Sequence, residues 1–397
     1  MAGQRGQNTQ RRSRGQTNGL MSNLLSSKVM QVLLILCILS CVFLFYNFGT
    51  STQTFTKESK AFYRAENHPI NVKSDREEQI AGTFEGKQAK AAKDVAQKHA
   101  DEFKNDYHVL FIFAHKNPKL EKKFTTAFGS MFKHAKFNER ETFHLHFVCE
   151  KEGKEFVQQY FKEHVSHPKF NLKIHFHDTI KLARQVHPLV QGIQAMLGND
   201  HPYFSETAIF FLSMVLPNIM PENIHRLVQL DLDLKFVTNI RDLWSEFDYF
   251  TKDTVIGIGN ENQPVYRHLL WQYRNENPNT KVGEPYPAGQ PGFNSGVVLL
   301  HLDNMRTSSL YNSYMNATNL QRIVQKYHFK GHLGDQDFYT LLAFEHPPLF
   351  HVLPCGWNKQ LCQWWKDKGY QDIFDQYFDC KSEIKIWHGN CDSSFPE

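Results

Sequence analysis

The distribution of apolar and polar positions divides the chain into three regimes. Residues 29–49, VMQVLLILCILSCVFLFYNFG, are an apolar run without a charge. At about 1.5 Å per residue in a helix, that run is long enough to cross roughly 30 Å of hydrocarbon. Residues 50–106 are polar with few large apolar positions, and DREEQIAGTFEGKQAKAAKDVAQKHADEFK (75–104) reads as a solvated, partly helical spacer. From residue 107 short apolar runs alternate with amphipathic stretches. YHVLFIFAH (107–115) predicts a buried strand, and Pro118 to Ala135 has helical spacing with a proline at its start. FHLHFVCE and NLKIHFHD predict further strands, each followed by a segment of helical length. Strand then helix, repeated, predicts an α/β domain whose parallel sheet is covered on both faces. Ligands in such sheets bind at the carboxyl ends of the strands.

The flanks of the apolar run set its orientation. Residues 1–28 contain Arg5, Arg11, Arg12, Arg14 and Lys28 and no acid, so the positive-inside rule keeps this tail cytosolic and sends residues 50–397 across the membrane. A cleaved signal peptide is the alternative, but its apolar region is about 7–15 residues before small residues, whereas Val42 to Tyr46 are all large. The predicted organisation is a basic tail at 1–28, a single-pass type II signal-anchor at 29–49, a luminal stem at 50–106 and a folded domain at 107–397. A homodimer formed through the anchor is left open.

Composition narrows the class. With 41% hydrophobic and 14% aromatic residues the chain is globular, and a formal net charge of +4 over 397 residues offers no footprint for a nucleic-acid partner. Of seven cysteines, Cys37 and Cys41 fall in the apolar run, while Cys355, Cys362, Cys380 and Cys391 crowd the last stretch. In an oxidising lumen these four predict two disulfides, with three pairings open. A zinc site is the rival reading, but no C-x2-C hook is present. Cys149, ending a predicted strand, reads as a buried free thiol. Asn316-Ala317-Thr318 is an acceptor triplet for N-glycosylation.

Candidate chemistry centres on RLVQLDLDLKF, in which Asp231 and Asp233 follow an apolar run. Ionised carboxylates are costly to bury unless paired or bound to a metal. At a spacing of two on a strand they project to the same side, where one hard divalent cation, Mn²⁺ or Mg²⁺, could bridge them and face diphosphate oxygens. Pairing with a lysine such as Lys235 is the plainer alternative. PGFNSGVVLLHLDNMR offers a turn opening a strand, GHLGDQDFYTLLAF sets Asp335, Gln336 and Asp337 at a helix start with Asp335 as a possible N-cap, and KIWHGNC ends a short strand in His388. WNKQLCQWWKDKGY supplies aromatic faces suited to sugar rings or to a core. No GxGxxG follows the first strand and no GxxxxGK[ST] occurs, so the usual dinucleotide and P-loop fingerprints are absent.

Together, LVQLDLDLKF, QPVYRHLLWQYRNENP, PGFNSGVVLL, YHFKGHLGDQDF, WNKQLCQWWKDKGY and HGNC resemble the glucoside and xyloside xylosyltransferases of glycosyltransferase family 8 over roughly residues 107–397. The resemblance implies a GT-A fold, Rossmann-like, with a mixed central sheet flanked by helices. It implies a Mn²⁺-dependent retaining enzyme of the endoplasmic reticulum membrane, with Mg²⁺ the lesser choice. The donor it implies is UDP-xylose, and the acceptor a xylosyl-glucose O-glycan on EGF-like repeats such as those of Notch, extended by an α1,3 linkage. Carried over, Asp231, Asp233 and His388 are the metal ligands, and Leu232 is a main-chain donor contact. Phe113, Ala114 and His115 hold the uridine, and Ser295 and Leu333 contact the donor. Gln336 lies between donor and acceptor, His268 and Trp365 lie on the acceptor side, and Asn390 faces both. An amide at Gln336, where double displacement needs a carboxylate nucleophile, favours a front-face reaction in which Asp231, Asp233 and Gln336 are the catalytic residues. UDP-glucose or UDP-galactose donors, or a noncatalytic glycan-binding membrane protein, are the alternatives.

Overall fold

The computed structural model describes residues 106–114, 116–165, 168, 170–197 and 208–396, all within one compact unit spanning 91–397. The expected tail and signal-anchor, the stem up to residue 105, and His115 lie outside the described residues, while Asp106, expected to end the stem, opens the first strand. Among the described residues no helix is long and apolar enough to cross a membrane.

Three strands begin the sheet as the apolar pattern predicts. β1 (Asp106–Phe113), β2 (Thr142–Cys149) and β3 (Asn171–Asp178) run parallel and in unbroken register. Strand alternation sends Val109, Phe111 and Phe113 of β1 and Phe143, Leu145 and Phe147 of β2 to one face, where they pack on α1 (Pro118–His134) and α2 (Lys151–His164) through Phe124, Phe128 and Phe161. α1 starts where expected: Asn117 caps it by accepting from the Leu120 N–H at 2.9 Å, and Pro118 occupies its first turn. Leu110 and Val148 face the other way, into a second core with α3 (Thr179–Leu197) and α4 (Leu212–Ile219).

Beyond β1 the sheet is mixed. β4 (Arg226–Leu230) pairs parallel with β1, but β7 (Phe293–His301) runs antiparallel between β4 and β6 (Ile256–Asn260), and β8 (Phe350–Leu353) closes the order β3-β2-β1-β4-β7-β6-β8. The all-parallel sheet expected from strand–helix alternation is thereby corrected, because burial periodicity carries no information about strand direction. The mixed α/β sheet implied by the GT-A resemblance is the one observed. A second sheet is built from β5 (Leu234–Phe236), β10 (Ile386–His388) and β9 (Lys359–Gln360), with β10 central. α5 (Ala317–Lys326) begins at Asn316, whose exposed side chain accepts from the Thr318 N–H.

α6 (Asp335–Glu345) is buried along nearly its whole length. Its cap is Gly334, at φ 66°, not Asp335. An added Cβ there would lie 2.7 Å from the Phe210 carbonyl oxygen, so both the left-handed backbone and the close approach call for glycine. Asp335 becomes the first helical residue, its N–H bonded to that same carbonyl. The C-terminal cysteines form Cys355–Cys380 and Cys362–Cys391, which leaves no thiolate for the rival zinc reading, and Cys149 is a buried free thiol.

Candidate active site

The apolar run of β4 ends at Leu230, and Asp231 to Asp233 form the connection between the two sheets. The acids are therefore brought together by a turn and not by alternation along a strand, because the chain leaves one sheet at Leu230 and enters the other at Leu234. Two bonds pin the turn: the Asp231 N–H donates to the Gly296 carbonyl on β7, and the Asp233 carbonyl accepts from the Gly389 N–H. β10 pairs with β5 so that His388 lies opposite Leu234. Its Nε2 is 3.5 Å from Asp231 Oδ2 and 3.3 Å from Asp233 Oδ1. The ligand atoms of Asp231, Asp233 and His388 all lie within 4.8 Å of one another. Leu232, between the acids, is buried in the core.

Charge is unevenly shared in this cluster. Asp231 is half-exposed by surface area, yet it sits on a floor surrounded by protein, and that desolvation, together with the charge of Asp233, pushes its carboxyl well above the usual range. Burial pushes Asp233 the same way, but the hydrogen bond from His388 and the charges of His388 and Lys123 outweigh it and hold this carboxyl low. Two acids forced apart in acidity, against one imidazole, form a donor set that a divalent cation would relieve, and two oxygens plus one nitrogen suit Mn²⁺. Lys123, on α1, reaches Asp233 at 3.0 Å and Asp392 at 3.2 Å. Lys235, the lysine expected to compete for the acids, instead bonds the Pro396 carbonyl.

Behind His388 runs a chain of amides that sequence reading missed. Asn358 donates through Nδ2 to the Asn294 carbonyl and to Asn294 Oδ1, so its own Oδ1 is the acceptor for His388 Nδ1–H at 2.9 Å. This turns Nε2 toward the acids, where, against the effect of burial, its N–H donates to Asp233 and holds the ring's basicity above the usual histidine range, and where the nitrogen would offer its lone pair to a bound cation. Asn294 in turn donates to Glu261 Oε2 at 3.1 Å. Glu261 is 3% exposed and its Oε1 has no hydrogen-bond partner among the described residues. Burial pushes that carboxyl up to about 7, with the Asn294 bond only partly offsetting it. Glu261 stands in QPVYRHLL's own neighbourhood, GNENQP, but nothing in its spacing ties it to a residue more than a hundred positions away.

Gln336 is buried on the first turn of α6. Its Oε1 accepts the Ser295 N–H at 3.1 Å and its Nε2 donates to the Tyr266 hydroxyl, which itself donates to Asp337. The neighbouring carboxylate, Asp335, accepts from Ser213 at 2.5 Å in the interior. Asp337 Oδ2 also accepts the Leu333 N–H at 2.7 Å, so Ser295, Leu333 and Gln336 are held by one network.

The residues expected on the acceptor side gather at a surface. The exposed His268 ring lies 4.7 Å from Trp365 and hydrogen-bonds Tyr370, which sequence reading did not single out. The Trp365 backbone N–H reaches Gln263 Oε1, and the neighbouring Asn262 bonds Gln360 on β9, so this segment is joined to the strand beside β10. Trp364 is exposed, whereas Trp357 is wholly buried and belongs to the core. Asn390 uses its Oδ1 for the Leu361 and Cys362 N–H groups, bracing the segment closed by Cys362–Cys391. At the end of β1, the Phe113 ring is buried against Phe124 and Phe156, which leaves its backbone and half-buried Ala114 at the strand end.

The family model described as glycosyl transferase family 8 matches residues 119–377. Xyloside xylosyltransferase 1 of Mus musculus is 43% identical over 356 residues, covering 89% of this chain and 90% of that protein. Xyloside xylosyltransferase 1 of Homo sapiens is 48% identical over 295 residues, covering 74% and 75%. The crystal structure of the mouse Xyloside xylosyltransferase 1 in its apo form superposes with a TM-score of 0.71 at 47% identity, covering 73% of this chain and all of that one.

Proposed function

This chain is a member of glycosyltransferase family 8, and from that premise we propose that it moves xylose from UDP-xylose onto the xylose of a xylosyl-glucose O-glycan on EGF-like repeats, with retention and an α1,3 linkage. The observation that carries the reading is the convergence of Asp231, Asp233 and His388, with all three ligand atoms within 4.8 Å of one another. A binding-only protein would have no need of three ligands arranged to hold a diphosphate-neutralising cation. Mn²⁺ bound there would supply charge stabilisation for the departing nucleoside diphosphate.

The chain's own residues then position and shield. Asp231 and Asp233 present two carboxyl groups at the sheet's carboxyl end, and Asn358 keeps His388 Nε2 turned toward them. Ser295, Leu333 and the backbone of Phe113, Ala114 and His115 are assigned to the donor, and His268 and Trp365, with Tyr370 beside them, to the acceptor. Asn390 braces the wall between the two. Gln336 supplies an amide where a covalent route would need a carboxylate, and Asp335 is engaged with Ser213, so a front-face transfer is favoured. In it, positioning and electrostatics carry the rate, and a donor phosphate oxygen accepts the proton of the attacking hydroxyl. We place the protein in the endoplasmic reticulum membrane as a single-pass type II protein, on the strength of the 29–49 run, the basic tail and the two disulfides.

The test is intact-mass analysis of a folded EGF-like repeat carrying xylosyl-glucose, incubated with the full-length chain, Mn²⁺ and UDP-xylose or UDP-glucose. A gain of one pentose, lost with EDTA and with Asp233→Ala, supports donor, acceptor and metal together. A hexose gain would move the donor assignment, and no gain with either sugar would favour the binding-only reading.

A further inference from the structure

The opposite end of the sheet carries a second cluster of ligating side chains. Asp106 and His108 on β1, His144 and His146 on β2, and His175 and His177 on β3 lie on the face shared with Leu110 and Val148. Register sets His108 beside His144 and His146 beside His175, with ring centroids 4.1 Å and 4.4 Å apart. Asp106, His108 and His144 stand toward the amino-terminal ends of β1 and β2, whereas Asp231 follows the carboxyl end of the parallel β4. The two clusters are separate.

Hydrogen bonds order the rings into two rows. His108 Nδ1 is 3.0 Å from His146 Nε2, and His146 Nδ1 is 3.0 Å from His177 Nε2. His144 Nδ1 is 3.0 Å from His175 Nε2, and His144 Nε2 is 3.4 Å from Asp106 Oδ1. The two rings nearest the carboxylate, His108 and His144, thus each commit Nδ1 to a further imidazole. Nε2 of His144 meets Asp106, and Nε2 is the ring nitrogen of His108 that its bond to His146 leaves for a ligand. Ligand atoms of Asp106, His108 and His144 all lie within 4.8 Å of one another.

Such an arrangement is what a metal-binding histidine needs. A ligating ring is oriented by a hydrogen bond from its other nitrogen, and it must be neutral. His108, His144 and His146 are each less than a tenth exposed. Burial lowers the basicity of all five rings, that of His108 to about 3. The charges near the cluster are Asp106, the exposed Lys173 on β3, and His225, which is paired with Asp303. Asp106 lies against His144 and opposes the charge of Lys173 there. Buried imidazoles bonded to one another gain little over apolar side chains of the same shape, so five imidazoles and the carboxylate that meets His144 on one face suit a ligand.

We propose that Asp106, His108 and His144 form a second metal centre, which takes a borderline transition ion of the Zn²⁺ class, keeps an open coordination position and clamps β1 to β2. Two imidazoles and one carboxylate select such an ion over Mg²⁺ or Ca²⁺, which require oxygen shells. His146, His175 and His177 orient the two ligating rings.

The experiment dialyses the full-length chain against Zn²⁺ and measures retained metal by mass spectrometry, with Co²⁺ substitution reading the coordination geometry. One equivalent of Zn²⁺ should survive in the double variant Asp231→Asn, Asp233→Asn. In Asp106→Asn and in His144→Ala its affinity should fall at least about tenfold, and the nitrogen-ligated Co²⁺ absorption should be lost. Asp106 lies at a partly exposed edge, so Asp106→Asn carries the test if His144→Ala does not fold. Zn²⁺ that disappears with the Asp231 and Asp233 substitutions and is indifferent to Asp106→Asn overturns the proposal, as does an absence of retained Zn²⁺. Xylose transfer is assayed separately, so failure of the glycosyltransferase reading and failure of this centre are distinguishable.

Discussion

His388 donates through Nδ1 to Asn358 Oδ1 at 2.9 Å and presents Nε2 to Asp233 at 3.3 Å, so a single ring links the amide chain behind the sheet to the acid pair. Asn358→Ala removes the orienting acceptor without touching either acid. Partners of this kind typically contribute 10- to 100-fold in metal affinity. A Mn²⁺ titration of xylose transfer should therefore show the apparent affinity weakened by about that factor. An unchanged titration curve would show that His388 is oriented by something else.

Gly296 gives the ring its space. A Cβ at this position would stand 2.3 Å from His388 Cε1 and 2.6 Å from Nδ1. Gly296→Ala should push the imidazole off the acids and lower transfer on the order of 100-fold, the penalty of about 1 Å of misplacement in an active site. Gly129→Ala, whose nearest new neighbour would be 3.8 Å away, is the control and should keep full activity. Equal rates for the two variants would refute the steric argument.

The disulfides should differ in their effect on activity. Cys362–Cys391 closes a separation of 29 residues and Cys355–Cys380 one of 25, so the chain-entropy model assigns each about 3–4 kcal/mol. Cys391 lies three positions beyond His388, and the Cys362 N–H is held by Asn390. Paired serine substitutions should lower the melting temperature in both cases, but only Cys362→Ser with Cys391→Ser should also weaken the apparent affinity for the proposed Mn²⁺. A reversed pattern would place the support for His388 elsewhere.

Glu246 offers a test of pH dependence away from the metal ligands. Burial raises this carboxyl, but hydrogen bonds from His351 and Trp357 outweigh it and hold it below the usual glutamate range. A depressed carboxyl adds stability above its unfolded pKa, and that stability is lost as pH falls through the folded value. Glu246→Gln should thus be less stable than the parent at pH 7, by about 1–3 kcal/mol, and the gap should close as pH drops below about 4.5. Melting curves at neutral and acid pH check this; a gap that persists in acid would mean that shape and not charge matters there.

Much of the fold could be read from local pattern. The strands at 107–113, 142–149 and 171–178 and the helix from Pro118 announce themselves because burial imposes a period of two or of 3.6 on neighbouring residues. The acids and His388 were readable through their motifs, although the reason given for Asp231 and Asp233 facing one way was wrong: they occupy a turn between sheets. Lys123, Tyr370, Asn358, Asn294 and Glu261 were not readable, since an asparagine in a strand or a glutamate before a helix carries no mark of what it will touch.

The sequence by itself determined an α/β domain, cysteines enough for two disulfides, and an acid pair spaced to share one cation, because these depend on residue type and local spacing, whereas His388 joins the pair only through the pairing of β10 with β5. Only the tertiary structure decided that β7 runs antiparallel, that Cys355 joins Cys380 and Cys362 joins Cys391, and that five histidines line one face of β1 to β3. It also decided that Asn358 reaches across 64 positions to Asn294 and 30 to His388. The physical reason is that such pairings are selected by packing in three dimensions, where the free energy depends on how distant elements fit and not on the order in which they occur along the chain.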